Sequence, residues 1–239
     1  IDLTTFKMDY HYPLFDDLLL KSGIKTKFTR NSSKHDFFKK NNNIGLYNKR
    51  IDSTLRGNIG AEIDGALDAL GKDYIGIVVP SFPSSGRICI YSNIIVNQKL
   101  LHKTEVAKDP KTPVFTSIVP KIIKKQSKYK VGKININIVE EGKIAIEKKI
   151  KKLVRNKNRI IVIDSIDNAN IEIIAEVVKN LKMNYITVDP GPFSQEMANQ
   201  IYGIKRNKPE NEDKIYLMVG SITELSRKQI KLLEDNYQC

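Results

Sequence analysis

Between Arg50 and Arg56 the chain gathers two guanidiniums, a carboxylate and two hydroxyls within seven positions, Arg50-Ile51-Asp52-Ser53-Thr54-Leu55-Arg56. Side chains of these types suit a small polyhydroxylated acid. A guanidinium offers a planar fork that matches a carboxylate or phosphate. Asp52 can accept hydrogen bonds from hydroxyls, and Ser53 and Thr54 can donate and accept. Gly57-Asn58 then leads into an amphipathic run with Ile59, Ile63, Leu67 and Leu70 on one face, stopped by Gly71. Asn58 is the expected N-cap. It would leave the amides of Gly60 and Ala61 near a helix end that favours anions. A plain brace, Asp52 paired with Arg56 across the turn, accounts for the same spacing. The residues alone leave both readings open.

A loop of this kind needs a scaffold, and the rest of the chain supplies the pattern of one. "YIGIVVP" (74–80), "RIIVIDSI" (159–166), "NYITVDP" (184–190) and "KIYLMVGS" (214–221) read as short buried strands. "VGKININIV" (131–139) alternates apolar and polar residues and reads as one strand. "RICIYSNIIVNQKLL" (87–101) reads as a hairpin or two extended segments around Ser92-Asn93. Helical runs follow the strands: "EEGKIAIEKKIKKLV", "NANIEIIAEVVKNL" with Asn168 as expected N-cap, "FSQEMANQIYG" and "TELSRKQIKLLEDN". "LFDDLLLKSGIKTKF" suggests a short helix and a strand, and "NSSKHDFFKKNNN" a polar loop. Strands alternating with helices predict an α/β fold, a mostly parallel sheet with helices on both faces. Ligands of such sheets bind at the carboxyl ends of the strands. Ser53, Asp164, Asp189 and Ser221 all fall at or near candidate strand ends.

Composition narrows the classes. The chain has 239 residues, 41% hydrophobic and 28% charged, enough apolar material for a sizeable core. No apolar run is long enough to span a bilayer, and the first residues show no basic-then-apolar signal pattern. Cys89 and Cys239 make neither a disulfide framework nor a metal pattern. A cytoplasmic location is the expectation. The net charge is +13, with lysines clustered over 121–133 and 148–159. Such clusters can mark a nucleic-acid surface. Here Tyr129 is the one aromatic among them, and single-strand binders place stacking platforms beside the charge. Solvated helix faces in a Lys-, Asn- and Ile-rich chain are the favoured reading, with nucleic-acid binding as the alternative.

The opening stretch has companions in order along the chain. "KRIDSTLRGNIGAEIDGAL" resembles the Lys-x-Asp-Ser-Thr-Leu-Arg-Gly-Asn-x-Gly-Ala-Glu signature of the four-carbon acid sugar kinases. "VVPSFPSSGR" (78–87), "HKTEVAKDPKTPV" (102–114), "VIDSIDNANIEIIAEVV" and "VGSITELSRKQI" (219–230) resemble further stretches of that family, so the likeness runs from about Ile44 to near the end. It implies the substrate-binding domain of a two-domain kinase that phosphorylates threonate, erythronate or an oxo-tetronate with ATP and Mg²⁺. Carried over by position, it implicates Arg50 (usually Lys in the family), Asp52, Ser53, Thr54, Arg56 and Asn58 in binding the acid. Asp52 is the first candidate for the base that meets the substrate hydroxyl, a binding role being the alternative. Asp189 is a second candidate base or a turn residue. Ser221 and Thr223, in the Gly220-Ser221-Ile222-Thr223 turn, fall on the nucleotide side.

The likeness is uneven. Only "IDLT" (1–4) matches the family's opening strand, and Arg30 is the one candidate for a further binding arginine. The expected organisation is an acid-binding domain over 1–220, with 1–43 divergent, and the start of a junction over 221–239. The glycine-rich ATP loop of the family's C-terminal domain is not among these residues. The chain therefore reads as the acid-binding part of the kinase, or as a split or catalytically inactive binding remnant. The acid and ATP are the expected partners, and the oligomeric state is left open.

Overall fold

Ile160–Ile163 is buried at all four positions, and its side chains alternate between two separate apolar clusters. Ile160 and Val162 enter one, Ile161 and Ile163 the other. This is the period-two signature of a strand covered on both faces. The computed structural model describes residues 2–4, 46–110, 112–203 and 224–236. The chain divides into two units, 1–204 and 205–239.

The first unit is built on a six-stranded sheet in the order β1-β2-β9-β3-β8-β7. The strands are β1 (Asp2–Thr4), β2 (Tyr47–Arg50), β3 (Tyr74–Val78), β7 (Val131–Ile134), β8 (Ile160–Ile163) and β9 (Asn184–Asp189). Every pairing in it is parallel. One face carries α1 (Ile59–Leu70) and α2 (Val119–Gln126), whose Ile59, Ile63, Leu67, Val119 and Ile123 join the first cluster. The other face carries α3 (Ile136–Glu140), α4 (Lys143–Arg155), α5 (Asn168–Lys179) and α6 (Pro192–Tyr202). The expected α/β architecture is the one observed. Lys121, Lys124 and Lys125 of α2 and Lys148 and Lys152 of α4 are exposed, opposite the buried stripes of amphipathic helices. The second unit contains α7 (Glu224–Asn236), the helix expected there. No helix among the described residues is long and apolar enough to cross a membrane.

A small antiparallel sheet, β4 (Arg87–Ile90), β5 (Asn93–Val96) and β6 (Lys99–Leu100), sits beside the large one. Its two-residue turns, Tyr91-Ser92 and Asn97-Gln98, all take positive φ, between 46° and 65°. That is the hairpin geometry whose twist matches the flanking strands. The sheet is tied to β8 by paired backbone bonds between Cys89 and Ser165. Buried Asp164 completes the tie by accepting from Ser92 N at 2.9 Å, Ile136 N at 3.2 Å and the Cys89 thiol at 3.2 Å. Burial pushes the Asp164 carboxyl up, against these bonds, and pushes the Cys89 thiol up as well. Asp164 is a structural tie at its strand end.

Three local expectations are corrected. Residues 131–139 are not one strand: β7 stops at Ile134 and α3 begins at Ile136. Asn135 Oδ1 accepts from Ile138 N at 3.3 Å, so its side chain turns the backbone out of the extended run. The N-cap of α5 is Asp167, not Asn168, with Oδ1 accepting from Asn170 N at 2.8 Å. A carboxylate is also the better match for a helix N-terminus. Asn58 occupies the cap position of α1 but makes no side-chain capping bond. Gln126 from α2 does that work, accepting from Gly60 N at 2.8 Å and donating to Gly57 O at 3.0 Å.

Candidate functional site

The carboxyl edge of the sheet places Thr4, Arg50 and Asp189 in one row. From Arg50 the chain leaves β2 and makes a tight turn, with Leu55 N donating to Asp52 O at 2.9 Å. Leu55 takes φ +59° and is only 2% exposed. A non-glycine residue in this region carries local strain. Burial of its side chain in the first cluster holds it there. The turn thereby presents Asp52, Ser53 and Arg56 outward from a fixed anchor.

Asp52 organises the loop. Its Oδ2 accepts from Thr54 Oγ1 at 2.6 Å, Arg56 Nε at 2.8 Å and Arg56 N at 3.2 Å, and its Oδ1 from an Arg56 terminal nitrogen at 3.3 Å. Burial pushes the Asp52 carboxyl up, and the bonds from Arg56 and Thr54 outweigh it, leaving the group below its ordinary value. Such a carboxylate holds its charge well and takes up a proton poorly. Arg56 reaches further. Its other terminal nitrogen donates to Asp109 Oδ2 at 3.2 Å. Asp109 Oδ1 in turn accepts from Thr112 N at 2.8 Å. The loop after β2 and the 102–114 stretch, which resemble two separate family motifs, thus meet through one guanidinium.

Beneath the loop lies a pair the sequence reading did not single out. Lys49, its side chain 3% exposed, places Nζ 2.8 Å from Glu62 Oε2 of α1 and donates to Arg50 O at 2.6 Å. On the opposite face of β2, Asn48 donates to Thr187 Oγ1 at 3.0 Å and Asp189 Oδ1 at 2.8 Å. Asp189 Oδ2 accepts from the amides of Gly191, Phe193 and Ser194 at 2.7–3.1 Å. Burial pushes Asp189 up, opposed by these bonds. It is the capping carboxylate of α6, which favours the turn reading of this residue over the base.

The expected residues are therefore not equivalent. Asp52, Thr54 and Arg56 are locked together, and Thr54 is buried. Asn58 is exposed on the loop. Ser53 is half-buried and, among the described residues, its hydroxyl makes no hydrogen bond. Arg50 is exposed at the edge and, among the described residues, makes no ion pair. Ser221, Thr223, Arg30, the helix and loop read within 5–45 and the strand read at 214–221 lie outside the described residues. No acidic, histidine or cysteine cluster able to hold a metal ion occurs among the described residues.

This geometry makes Arg56 a brace whatever else it does. Arg56→Ala is expected to lower stability by about 1–2 kcal/mol, because two carboxylates lose their shared cation while solvent screens a side chain that is 45% exposed. The sign with pH follows from Asp52. Its folded-state value is depressed, so its contribution is present above the ordinary unfolded value of about 4 and is lost as pH falls through the folded value. Below about pH 4 the parent should lose stability more steeply than Arg56→Ala. Thermal unfolding across pH 2–6 checks this, and parallel acid limbs would place the effect elsewhere.

Comparison with known proteins gives these loops a family. Residues 28–197 match the sugar-binding N-terminal domain family. A D-erythronate kinase of Heliobacterium modesticaldum is 40% identical over 196 residues, covering 82% of this chain and 44% of the relative. A D-threonate kinase of Salmonella typhimurium is 27% identical, covering 81% of this chain and 43% of the relative. The chain thus spans under half the length of these curated relatives. Among solved structures, a Haemophilus influenzae protein superposes with a TM-score of 0.68 over 84% of this chain and 49% of its own, at 24% identity, which supports the fold alone. A Bordetella bronchiseptica domain of unknown function, solved with bound citrate as a domain-swapped dimer, superposes with a TM-score of 0.56 at 27% identity, over 67% of this chain and 37% of its own. With the family match covering most of the sheet and both motif loops, the chain belongs to the sugar-binding N-terminal domain family, whose relatives include kinases of four-carbon sugar acids.

Proposed function

We propose that this chain is the acid-binding part of an ATP-dependent kinase that phosphorylates a four-carbon sugar acid of the erythronate, threonate or oxo-tetronate type. The observation that carries the reading is the meeting of two loops through Arg56, Asp52 and Asp109 at the carboxyl edge of a parallel sheet. Ligands of open α/β sheets bind at this edge. Arg50 supplies charge for the carboxylate, and Ser53 supplies a hydroxyl for the polyol. Asp52 orients Thr54 and Arg56. Its lowered pKa supports this positioning role over that of general base.

Two helix starts of this chain already have protein partners at their amides. The amide of Gly60 at the start of α1 is occupied by Gln126, and the amides at the start of α6 by Asp189. Phosphate cradles need such amides open. In this proposal ATP and Mg²⁺ are held mainly by the further length that the curated relatives possess, with Ser221 and Thr223 on the nucleotide side.

Calorimetric titration of the folded chain with D-erythronate and D-threonate tests acid binding directly. Joining residues 1–220 to the remaining length of the Heliobacterium relative should then give acid-dependent ADP release, while residues 1–239 alone should give none. A folded chain that binds neither acid refutes the reading. Acid binding without turnover in a folded fusion would identify a binding remnant.

A further inference from the structure

Three cationic side chains of the first unit have protein partners. Arg56 bridges Asp52 and Asp109, and Lys49 pairs with Glu62. Arg159 donates to the carbonyls of Leu67, Gly71 and Tyr74 and lies over the Tyr129 ring. Arg50 differs. Its guanidinium makes no ion pair among the described residues, and it stands exposed at the end of β2. What holds it is shape. A Cβ built on Gly191 would lie 2.8, 2.9 and 3.0 Å from the Arg50 Nη1, Cζ and Nη2 atoms. Three nearly equal distances mean that the flat face of the guanidinium rests on the glycine. An in-plane approach would put the central carbon farther away than the nitrogens.

Gly191 suits this seat for two reasons. Its φ of +138° is a conformation that favours glycine. Its backbone is also pinned: its N–H goes to Asp189 Oδ2 at 2.7 Å and its carbonyl accepts from Ser194 Oγ at 3.0 Å. The Asp189 carboxylate, paired with Arg50 in the strand register, is occupied by the α6 amides and by Asn48. It caps the helix rather than drawing in the guanidinium. With one face on Gly191, the N–H edges of Arg50 are left to meet a ligand.

We propose that Gly191 is a positioning residue that seats the Arg50 guanidinium, and that Arg50, not Arg56, takes the carboxylate of the acid. The second half rests on the proposed function. The first does not, and the test separates them. In side-chain ¹⁵N–¹H spectra of arginine, Gly191→Ala should move the Arg50 Nε–H signal and leave those of Arg56 and Arg159 in place. An unmoved Arg50 signal overturns the seat, whatever the protein binds.

Titration with D-erythronate tests the second half. Arg50→Gln should weaken binding about tenfold or more, and Arg50→Lys, which keeps the charge but loses the fork, by a smaller factor. Gly191→Ala should weaken it about tenfold, with little further loss when combined with Arg50→Gln, since both remove the same contact. Additive losses would make Gly191 a merely structural residue. Should Gly191→Ala fail to fold, Arg50→Gln decides the ligand assignment. Affinity equal to the parent's overturns it, and a loss confined to the acid, with the neutral polyol erythritol bound equally by both proteins, supports it. A parent that binds no four-carbon acid overturns the assignment together with the proposed function, and leaves the seat to the spectra.

Discussion

Glu62→Gln is expected to destabilise the protein by about 3 kcal/mol, the lower end of the cost of removing one partner from a buried ion pair. The Lys49 side chain is 3% exposed and Glu62 27% exposed, so the ammonium cannot regain bulk hydration while the native packing persists. Glutamine keeps the shape and an acceptor oxygen, and so isolates the lost charge. A neutral replacement of the lysine as well, Lys49→Met with Glu62→Gln, should recover part of the loss, because the buried ammonium that Glu62 balanced is then removed too. Urea unfolding of parent, single and double variants measures this. A single variant within about 0.5 kcal/mol of the parent, the range of ordinary surface substitutions, would show that Lys49 does not depend on Glu62. The consequence reaches the candidate site, since Lys49 Nζ also holds the carbonyl of Arg50, where the loop begins.

This pair shows where sequence reading stops. Lys49 and Glu62 both stand inside the motif-bearing stretch, yet nothing in their spacing says that this lysine is buried and faces a helix thirteen residues on. Asp109 is a second case: it lies in another stretch of family likeness, and only folding brings it to Arg56. Contacts of this kind depend on sheet order, and the order β2-β9-β3 interposes a strand from residues 184–189 between two early ones. The sheet itself was legible, because short β-branched runs such as Ile160–Ile163 and "YITVD" alternate with longer helical runs.

Where local patterns were ambiguous, side-chain chemistry decided. "KININIV" alternates as a strand should, but Asn135 competes for the backbone and opens a helix. The two turns of α2 bury only Val119 and Ile123, and Pro120 reads as loop punctuation in a sequence although it sits comfortably in a first helical turn. Missing α2 meant missing Gln126, and with it the partner that occupies the Gly60 amide at the start of α1. The two readings of Asp52 and Arg56 that sequence left open also look different with distances in hand. Arg56 is a brace by geometry, and Arg50, at the same edge, makes no ion pair among the described residues.

Gly60→Ala should destabilise the protein by about 3 kcal/mol, whereas Gly65→Ala in the same helix should stabilise it by up to about 1 kcal/mol. Helix propensity favours alanine at both positions, so an opposite sign at Gly60 is set by its surroundings. Nothing lies within 4 Å of a Cβ placed on Gly65. A Cβ on Gly60 would overlap the carbonyl oxygen of Ile123, lie 2.9 Å from Gln126 Cβ and 3.1 Å from Ser127 N. Two of these three atoms are backbone and cannot rotate away, so α2 itself must move. That movement breaks more than packing. Gln126 would lose its bonds to Gly60 N and Gly57 O, and Asp64 its bonds to Ser127 Oγ and Lys128 N at 2.5 and 2.7 Å. The propensity gain of about 1 kcal/mol cannot offset this. Thermal and urea unfolding of the two variants side by side give the test, and a stabilised Gly60→Ala would mean that the helices do not meet at this glycine. Because Gln126 also fixes the loop end at Gly57, the destabilised variant should show faster amide exchange across residues 51–58 than Gly65→Ala does, which would tie the helix crossing to the order of the candidate site.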